Sequence, residues 1–484
     1  MARIAIIPEP KKILAGEEGN ADPVIREKKT DPDMGEEEYC LQLKKDGIWI
    51  AGGSEKACLY AKSTLEQIRL QCGDTLPCLT VEDCPAYSWR AFHIDCARHF
   101  IRADELKKMI RMSAHFKLNK FHWHFSDDQG WRIECRKFPL LHEIGAARRG
   151  DHMGNYDSDE TEDRYYTREQ VREIVAYCGE LGVEVIPEVD MPGHVTAVLA
   201  AYPQYGCRGE QILVETRAGI FRDILCAGKE ETFVFIEQLL DDLLELFPGK
   251  YFHIGGDEAP KEYWSSCPLC RKRMEEEGLE NLQQLQGYME NRITAYLKAK
   301  GRTVIVWNEA AYGGNLDPDT IVQLWTEDKE NRLEQHMERG GKAVISIVKN
   351  CYCDYPYGIT SLRDVYELEE CPAGLTKAKD RILGTECLIW TEHVRDEKRL
   401  ETLCWPRFAA SAEVGWRGQD RPGYPSFETR MKRLLPVFEK YGICPEEAPG
   451  WVPAQEEAKR QKAEFEKNFS AEDRQEVEKM QEII

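Results

Sequence analysis

Tyr251-Phe252-His253-Ile254-Gly255-Gly256-Asp257-Glu258 is a short, largely apolar run that stops on two glycines and two adjacent carboxylates. On either side, residues 230–247 and 282–300 carry apolar side chains at helical spacing. A strand of this length between two amphipathic helices is the repeating unit of a parallel α/β fold. The alternation recurs along the chain. Strand candidates lie at 92–98, 120–126, 183–189, 251–254, 303–307, 321–325, 343–348 and 382–390, and further amphipathic stretches occupy 103–116 and 168–181. Eight short strands separated by helices over about 350 residues predict a (β/α)8 TIM barrel.

The barrel is expected to occupy 85–445. Ahead of it, residues 1–84 hold a strand-like run at 38–43, then Gly47-Ile48-Trp49-Ile50 and a helical pattern at 54–71, which read as a small α/β accessory domain. Cys84-Pro85 followed by Tyr87-Ser88-Trp89 marks the boundary. Residues 446–484 read as a charged helical tail. Half of its last 30 residues are charged, and Phe465, Phe469, Val477, Met480 and Ile484 fall at helical spacings. That thin stripe would dock either on the barrel or on a second copy of the chain as a homodimer; the spacing does not choose.

Composition narrows the function. With 42% hydrophobic and 31% charged residues, the 484-residue chain has a large core and is not globally disordered. Its net charge of −21 repels phosphate backbones and anionic bilayers, which argues against nucleic-acid and membrane partners. The longest stretch free of Asp, Glu, Lys and Arg, 191–207, contains two prolines and a histidine and does not fit a membrane span. The 18 cysteines show no compact disulfide spacing, and the N-terminus lacks the roughly 7–15-residue apolar region of a secretory signal. A cytoplasmic protein with free thiols is expected, although a secreted chain whose signal had been removed would look the same. Cys267-Pro268-Leu269-Cys270 could be half a zinc site or a redox pair, but no second C-x-x-C or H-x-x-x-H completes a ligand set. Neither a metal nor a cofactor is expected.

Active sites of such barrels lie at the C-terminal ends of the strands. Those ends carry Asp95 and Arg98; His122-Trp123-His124-Phe125-Ser126-Asp127-Asp128; Glu188-Val189-Asp190-Met191-Pro192-Gly193-His194; Asp257 and Glu258; Trp307 with Glu309; Trp325; Tyr352-Cys353-Asp354; and Trp390-Thr391-Glu392. Carboxylates set among flat aromatics suit a carbohydrate, since acids handle oxygens while indole faces stack on the sugar's C–H face. Neighbouring residues in extended chain point to opposite sides. Asp257 and Glu258 are therefore poorly placed to flank one bond about 5 Å apart as a retaining pair does. Another group must supply the nucleophile or second acid.

His253-Ile254-Gly255-Gly256-Asp257-Glu258 resembles the signature of the β-N-acetylhexosaminidases of glycoside hydrolase family 20. Cys96-Ala97-Arg98-His99-Phe100, Trp123-His124-Phe125-Ser126-Asp127-Asp128-Gln129 and Asp190-Met191-Pro192-Gly193-His194 are similar to other motifs of that family, in its order along the chain. The resemblance implies a substrate-assisted retaining mechanism in which the sugar's own 2-acetamido oxygen attacks C1. By motif it implies that Glu258 is general acid and base, that Asp257 orients the acetamido N–H, and that Tyr352 binds the acetamido carbonyl. Asp190 and His194 would buttress the acid. Arg98 and Glu392 would bind the C3, C4 and C6 hydroxyl edge with Asp127 beside them. Trp307, Trp325 and Trp390 would wall the pocket, Asp354 would contact a hydroxyl, and His124 would be scaffold. The implied substrate is an oligosaccharide or glycoconjugate ending in N-acetylhexosamine, with release of a disaccharide as the variant. Two other classes are weighed against this: a catalytically silent glycan-binding protein, and a divalent-metal enzyme using Asp95, Glu188, Asp190 and Asp257.

Overall fold

The computed structural model describes residues 4–73, 75–153 and 158–468. Eight parallel strands close a barrel in chain order: Trp89–Asp95, Lys120–His124, Glu184–Glu188, Tyr251–His253, Thr303–Trp307, Ile321–Leu324, Lys342–Ile345 and Ile382–Ile389. The eighth pairs with the first from Gly384↔Trp89 to Ile389↔Ile94. Each overlaps its sequence candidate, with bounds shifted by a few residues at most. The intervening helices bury one face each. Helix Arg168–Glu180, for example, opens with a capping box between Thr167 and Gln170 and buries Val171, Ile174 and Cys178.

Alternation along the strands separates two cores. Phe92, Ile94, Phe121 and Trp123 join the apolar layer under the helices, whereas Trp89, Ala91, Ile186, Ile305 and Val344 form a separate apolar plug. Above that plug the barrel interior turns polar. Register aligns the transition: Asp95 pairs with His124, His124 with Glu188, and Glu188 with His253, so neighbouring strands end in one ionisable layer.

The N-terminal segment forms a five-stranded sheet in the spatial order Lys12–Asn20, Pro77–Asp83, Tyr39–Lys44, Gly47–Gly52, Ile25–Thr30. Helix Glu55–Cys72 packs on it through Ala57, Ala61, Leu65 and Ile68. The central hairpin and the helix match the sequence reading. Three strands do not appear in it: the interior strand Pro77–Asp83, and the two edge strands, where every residue is exposed and no apolar alternation marks them. Helix Gln455–Phe465 docks on the barrel: buried Phe465 meets the Tyr355 ring edge-on with centroids 5.4 Å apart, and Gly358 N–H donates to Gln461 at 2.8 Å. Phe469, Val477, Met480 and Ile484 lie outside the described residues. Among those described, no helix is long and apolar enough to cross a membrane, and all 18 cysteines are free.

The sheet meets the barrel at a buried charge pair. Asp83 accepts from Tyr39 Oη at 2.9 Å and Trp416 Nε1 at 3.0 Å, and lies 3.4 Å from the fully buried Lys117 Nζ. Removing one member of a buried pair strands the other charge, at a cost of about 3–5 kcal/mol. Lys117→Met should therefore lose about that much stability in urea unfolding, and adding Asp83→Asn should recover part of it. A double variant less stable than Lys117→Met would contradict this account of the joint.

Candidate active site

The site is built outward from Glu188, fully buried at the end of the third barrel strand. Its carboxylate bonds His124 Nδ1 and accepts from Trp307 Nε1 at 2.9 Å, with His122 Nε2 and His253 Nδ1 each 3.1 Å away. Burial opposes charge on Glu188, but the surrounding imidazoles outweigh it and hold the group well below the usual carboxylate range. Burial likewise opposes a charged His124, and Glu188 with Asp127 overcomes it, raising His124 well above its ordinary value.

Charges alternate outward from there. His124 Nε2 lies 2.8 Å from Asp127 Oδ2, which Arg98 Nη2 meets at 2.7 Å. Asp127 Oδ1 faces His194 Nδ1 at 3.2 Å, and Asp128 Oδ2 shares that nitrogen at 3.1 Å. His194 Nε2 then lies 3.4 Å from Glu258 Oε2 and 3.8 Å from Asp257 Oδ2. His194 is buried, yet Asp127 and its hydrogen bonds raise it well above the ordinary histidine value. A chain of alternating sign thus joins the barrel centre to the Asp257-Glu258 pair.

Two non-glycine residues here take left-handed backbone conformations, His194 at φ 52° and Glu258 at φ 40°. Such conformations cost energy and collect at functional sites. The Glu258 turn is held from outside: Glu258 N–H donates to Glu309 Oε2 at 3.0 Å, and Gly256 N–H to Asp190 Oδ1 at 3.2 Å. Gly255, at φ 72°, is required, because a Cβ there would sit 1.7 Å from Asp190 Oδ1.

Asp257 is 8% exposed, and its Oδ1 has no hydrogen-bond partner among the described residues. Burial and the neighbouring Asp190 push its carboxyl well above the ordinary range. Asp354 also leaves Oδ1 unpartnered, and burial and Glu392 raise it to about 8; Trp325 Nε1 is unpartnered too. Around these groups stand aromatic rings: Trp325 stacks on Tyr352 at 6.0 Å, Tyr352 lies 6.2 Å from Trp390, and Trp390 6.0 Å from Trp307. Arg98 lies over the Trp390 ring at 5.0 Å and reaches Glu392 at 3.7 Å. A cleft of about 490 Å³ opens beside Glu258, bordered by Glu309, Trp325, Tyr312 and Ile220.

Asp257, Glu258, Asp354, Glu392, Trp325, Tyr352, Trp390 and Arg98 thus surround one rim, while Asp95, Glu188 and Trp307 lie beneath it. Asp127 does lie beside Arg98, but it is 1% exposed with both oxygens engaged by protein, so it links Arg98 to His194 and offers no free oxygen to a ligand. Sequence reasoning missed the hub role of Glu188, the support from Glu309, and Gln129, which accepts from Arg98 Nε at 3.0 Å. The signal available was inward-facing polar residues at alternate positions, His122, His124 and Glu188. The metal-enzyme set does not assemble: Glu188 is filled by its imidazoles and Trp307, and Asp95 by Arg98 and Thr391. One cysteine reading needs correction. The Cys267/Cys270 pair does have companions, because Cys207 and Cys226, distant in sequence, fold against it.

Comparison with known proteins bears on the whole chain. The model of "Glycosyl hydrolase family 20, catalytic domain" matches residues 87–419, and that of the family's domain 2 matches 11–84. The chain belongs to glycosyl hydrolase family 20. A β-hexosaminidase of Akkermansia muciniphila is 32% identical over 475 residues, covering 94% of each chain. One from Porphyromonas gingivalis is 33% identical over 452 residues, 89% of this chain; there the chain spans 57% of the relative's length. A crystal structure of a β-N-acetylhexosaminidase superposes with a TM-score of 0.85 at 29% identity, covering 94% of this chain and 99% of that one.

The buried ionisable layer of this family 20 barrel makes stability depend on pH. Burial opposes charge on His122, but Glu386, 2.6 Å from its Nδ1, and Glu188 raise it to about 9. A histidine raised in the fold stabilises below its unfolded value of about 6.5, and that contribution is lost as pH climbs through the folded value. Asp190 and Asp354, raised to about 7 and about 8, lose stability in the same direction over this range. Urea-unfolding stability should fall between pH 6.5 and pH 9, and Glu386→Gln should flatten the part due to His122. An unchanged slope in that variant would remove His122 as the cause.

Proposed function

We propose that this chain is a retaining exo-β-N-acetylhexosaminidase that releases terminal GlcNAc or GalNAc through an oxazolinium intermediate formed by the substrate's own acetamido group. The observation that carries the reading is the buried Asp257, whose Oδ1 has no partner among the described residues, next to the more exposed Glu258, which borders the cleft. Two adjacent carboxylates in unlike surroundings suit two unlike tasks.

In this mechanism the ring lies among Trp325, Trp390 and Tyr352 with its hydroxyl edge toward Arg98, Glu392 and Asp354. The acetamido carbonyl oxygen, hydrogen-bonded by Tyr352, attacks C1. Glu258 protonates the departing glycosidic oxygen and later takes a proton from the water that opens the oxazolinium ring. The acetamido N–H donates to Asp257. Positive charge developing on that nitrogen favours the Asp257 carboxylate, which burial and Asp190 disfavour, so the interaction strengthens toward the transition state. His194 and Asp190 position the pair, the former against Glu258 and the latter through the Gly256 amide. The A. muciniphila relative, named a β-hexosaminidase and matched over nearly its full length, supports this activity.

General acid catalysis is worth about 10²–10⁴-fold. Glu258→Gln should lower kcat/KM, which reports the bond-breaking step, by that order on a 4-methoxyphenyl glycoside of GlcNAc, and far less on a 2,4-dinitrophenyl glycoside, whose leaving group needs no proton. Asp257→Asn should slow both substrates. Equal losses for both leaving groups in Glu258→Gln, or an inverted anomer as first product by proton NMR, would refute the mechanism.

A further inference from the structure

Beyond the glycosidase reading, we propose that Cys207, Cys226, Cys267 and Cys270 bind one structural zinc ion that ties together the two active-site loops after the third and fourth barrel strands. The four sulfurs lie within 4.8 Å of one another. Cys226 Sγ is 3.6 Å from Cys270 and 3.9 Å from Cys267, and Cys207 Sγ is 3.8 Å from Cys270. Tetrahedral zinc with Zn–S bonds of about 2.3 Å requires sulfur–sulfur edges of about 3.8 Å. Disulfides need about 2.05 Å, so this packing is that of ligands and not of bonded pairs.

The surroundings fit thiolate. Cys267 caps helix Pro268–Glu277, and Cys270 sits in its first turn, where the helix dipole favours negative charge. The other chain segment is shaped to deliver its two ligands. Gly206 bridges Leu225 in antiparallel pairing, and Cys226 N–H donates to Tyr205 at 2.8 Å, so Cys207 and Cys226 emerge side by side. Gly228 lets this segment approach the C-x-x-C turn, since a Cβ there would lie 2.2 Å from the Leu269 carbonyl carbon. On binding, each ligating thiol gives its proton to solvent and its sulfur lone pair to the ion. Four protein ligands close the coordination shell and leave no position for a reacting water, so the ion's task is structural.

The placement gives that task a consequence. Cys207 and Cys226 bracket a loop whose Arg217 carbonyl accepts from Gln129 Nε2 at 2.8 Å, and whose Ile220 borders the cleft at Glu258. Cys267 and Cys270 end the segment that begins at Glu258, and Trp264 within it donates to the Leu225 carbonyl at 2.8 Å. One ion would hold both walls.

The test uses the full chain, expressed with added zinc and purified under reducing conditions without chelator. Elemental analysis should find one zinc per chain, and titration with an organomercurial in the presence of a zinc-sensing dye should release it stoichiometrically. Cobalt substitution should give the d–d and thiolate charge-transfer bands of tetrahedral sulfur coordination. Cys226→Ser and Cys270→Ser should lose the metal and gain protease cleavage within 208–225, while Cys444→Ser, at an exposed thiol, should keep both metal and resistance. The wild-type readouts stand even if a ligand variant fails to fold. The proposal is overturned by reduced wild-type protein that neither contains zinc nor takes up zinc or cobalt, by zinc retained in both ligand variants, or by a disulfide between any two of the four.

Discussion

A carboxylate with no water around it must find its counter-charges in the protein, and Glu188 finds them in the imidazoles of the second and fourth barrel strands. That requirement organises what lies above it. Protonated His124 can be tolerated only because Asp127 faces its other nitrogen, and Asp127 in turn demands Arg98 and His194. Each step desolvates a charge and supplies its opposite, so no member can be removed without exposing its neighbour's cost. Glu258 stands at the outer end of this series, touched by His194 and fixed at its amide by Glu309.

The site therefore has two kinds of polar group. Inside are groups whose every contact is protein: Glu188, Asp127, Asp95. At the rim are groups left wanting, Asp257 and Asp354 each with an unpaired oxygen and Trp325 with an unpaired N–H. A buried acceptor without a donor costs on the order of 1–3 kcal/mol. Ligand hydroxyl and amide groups that match these rim atoms are the partners the protein itself does not supply.

Much of the architecture was readable in the chain because most barrel strands are short runs separated by helical periodicity, although between the fifth and sixth there is only a 3-10 turn, Asn308–Gly313. The rim residues were readable because they follow those strands directly. What escaped has physical reasons. The edge strands Lys12–Asn20 and Ile25–Thr30 bury nothing, so no pattern distinguishes them from loop. Asp127 looked like a sugar ligand because its burial depends on three partners contributed by separate loops and strands. The four cysteines look unrelated because Cys207 and Cys226 reach Cys267 and Cys270 only through the packing of consecutive loops. Local spacing records local structure; convergence across the barrel top leaves no local trace.

The same edge strands carry a meaning of another kind. A five-stranded sheet has two free rims, and each rim is a template on which a further strand can add. Here one rim offers Lys12, Glu17 and Glu18 to solvent, and the other Arg26, Glu27, Lys28 and Lys29. An incoming strand would have to strip water from these charges before gaining any backbone hydrogen bond. Charge at both margins thus accompanies the exposed Ile13, Leu14 and Ile25, while the sheet's own packing goes to helix Glu55–Cys72 and, through Asp83, to Lys117 and Trp416.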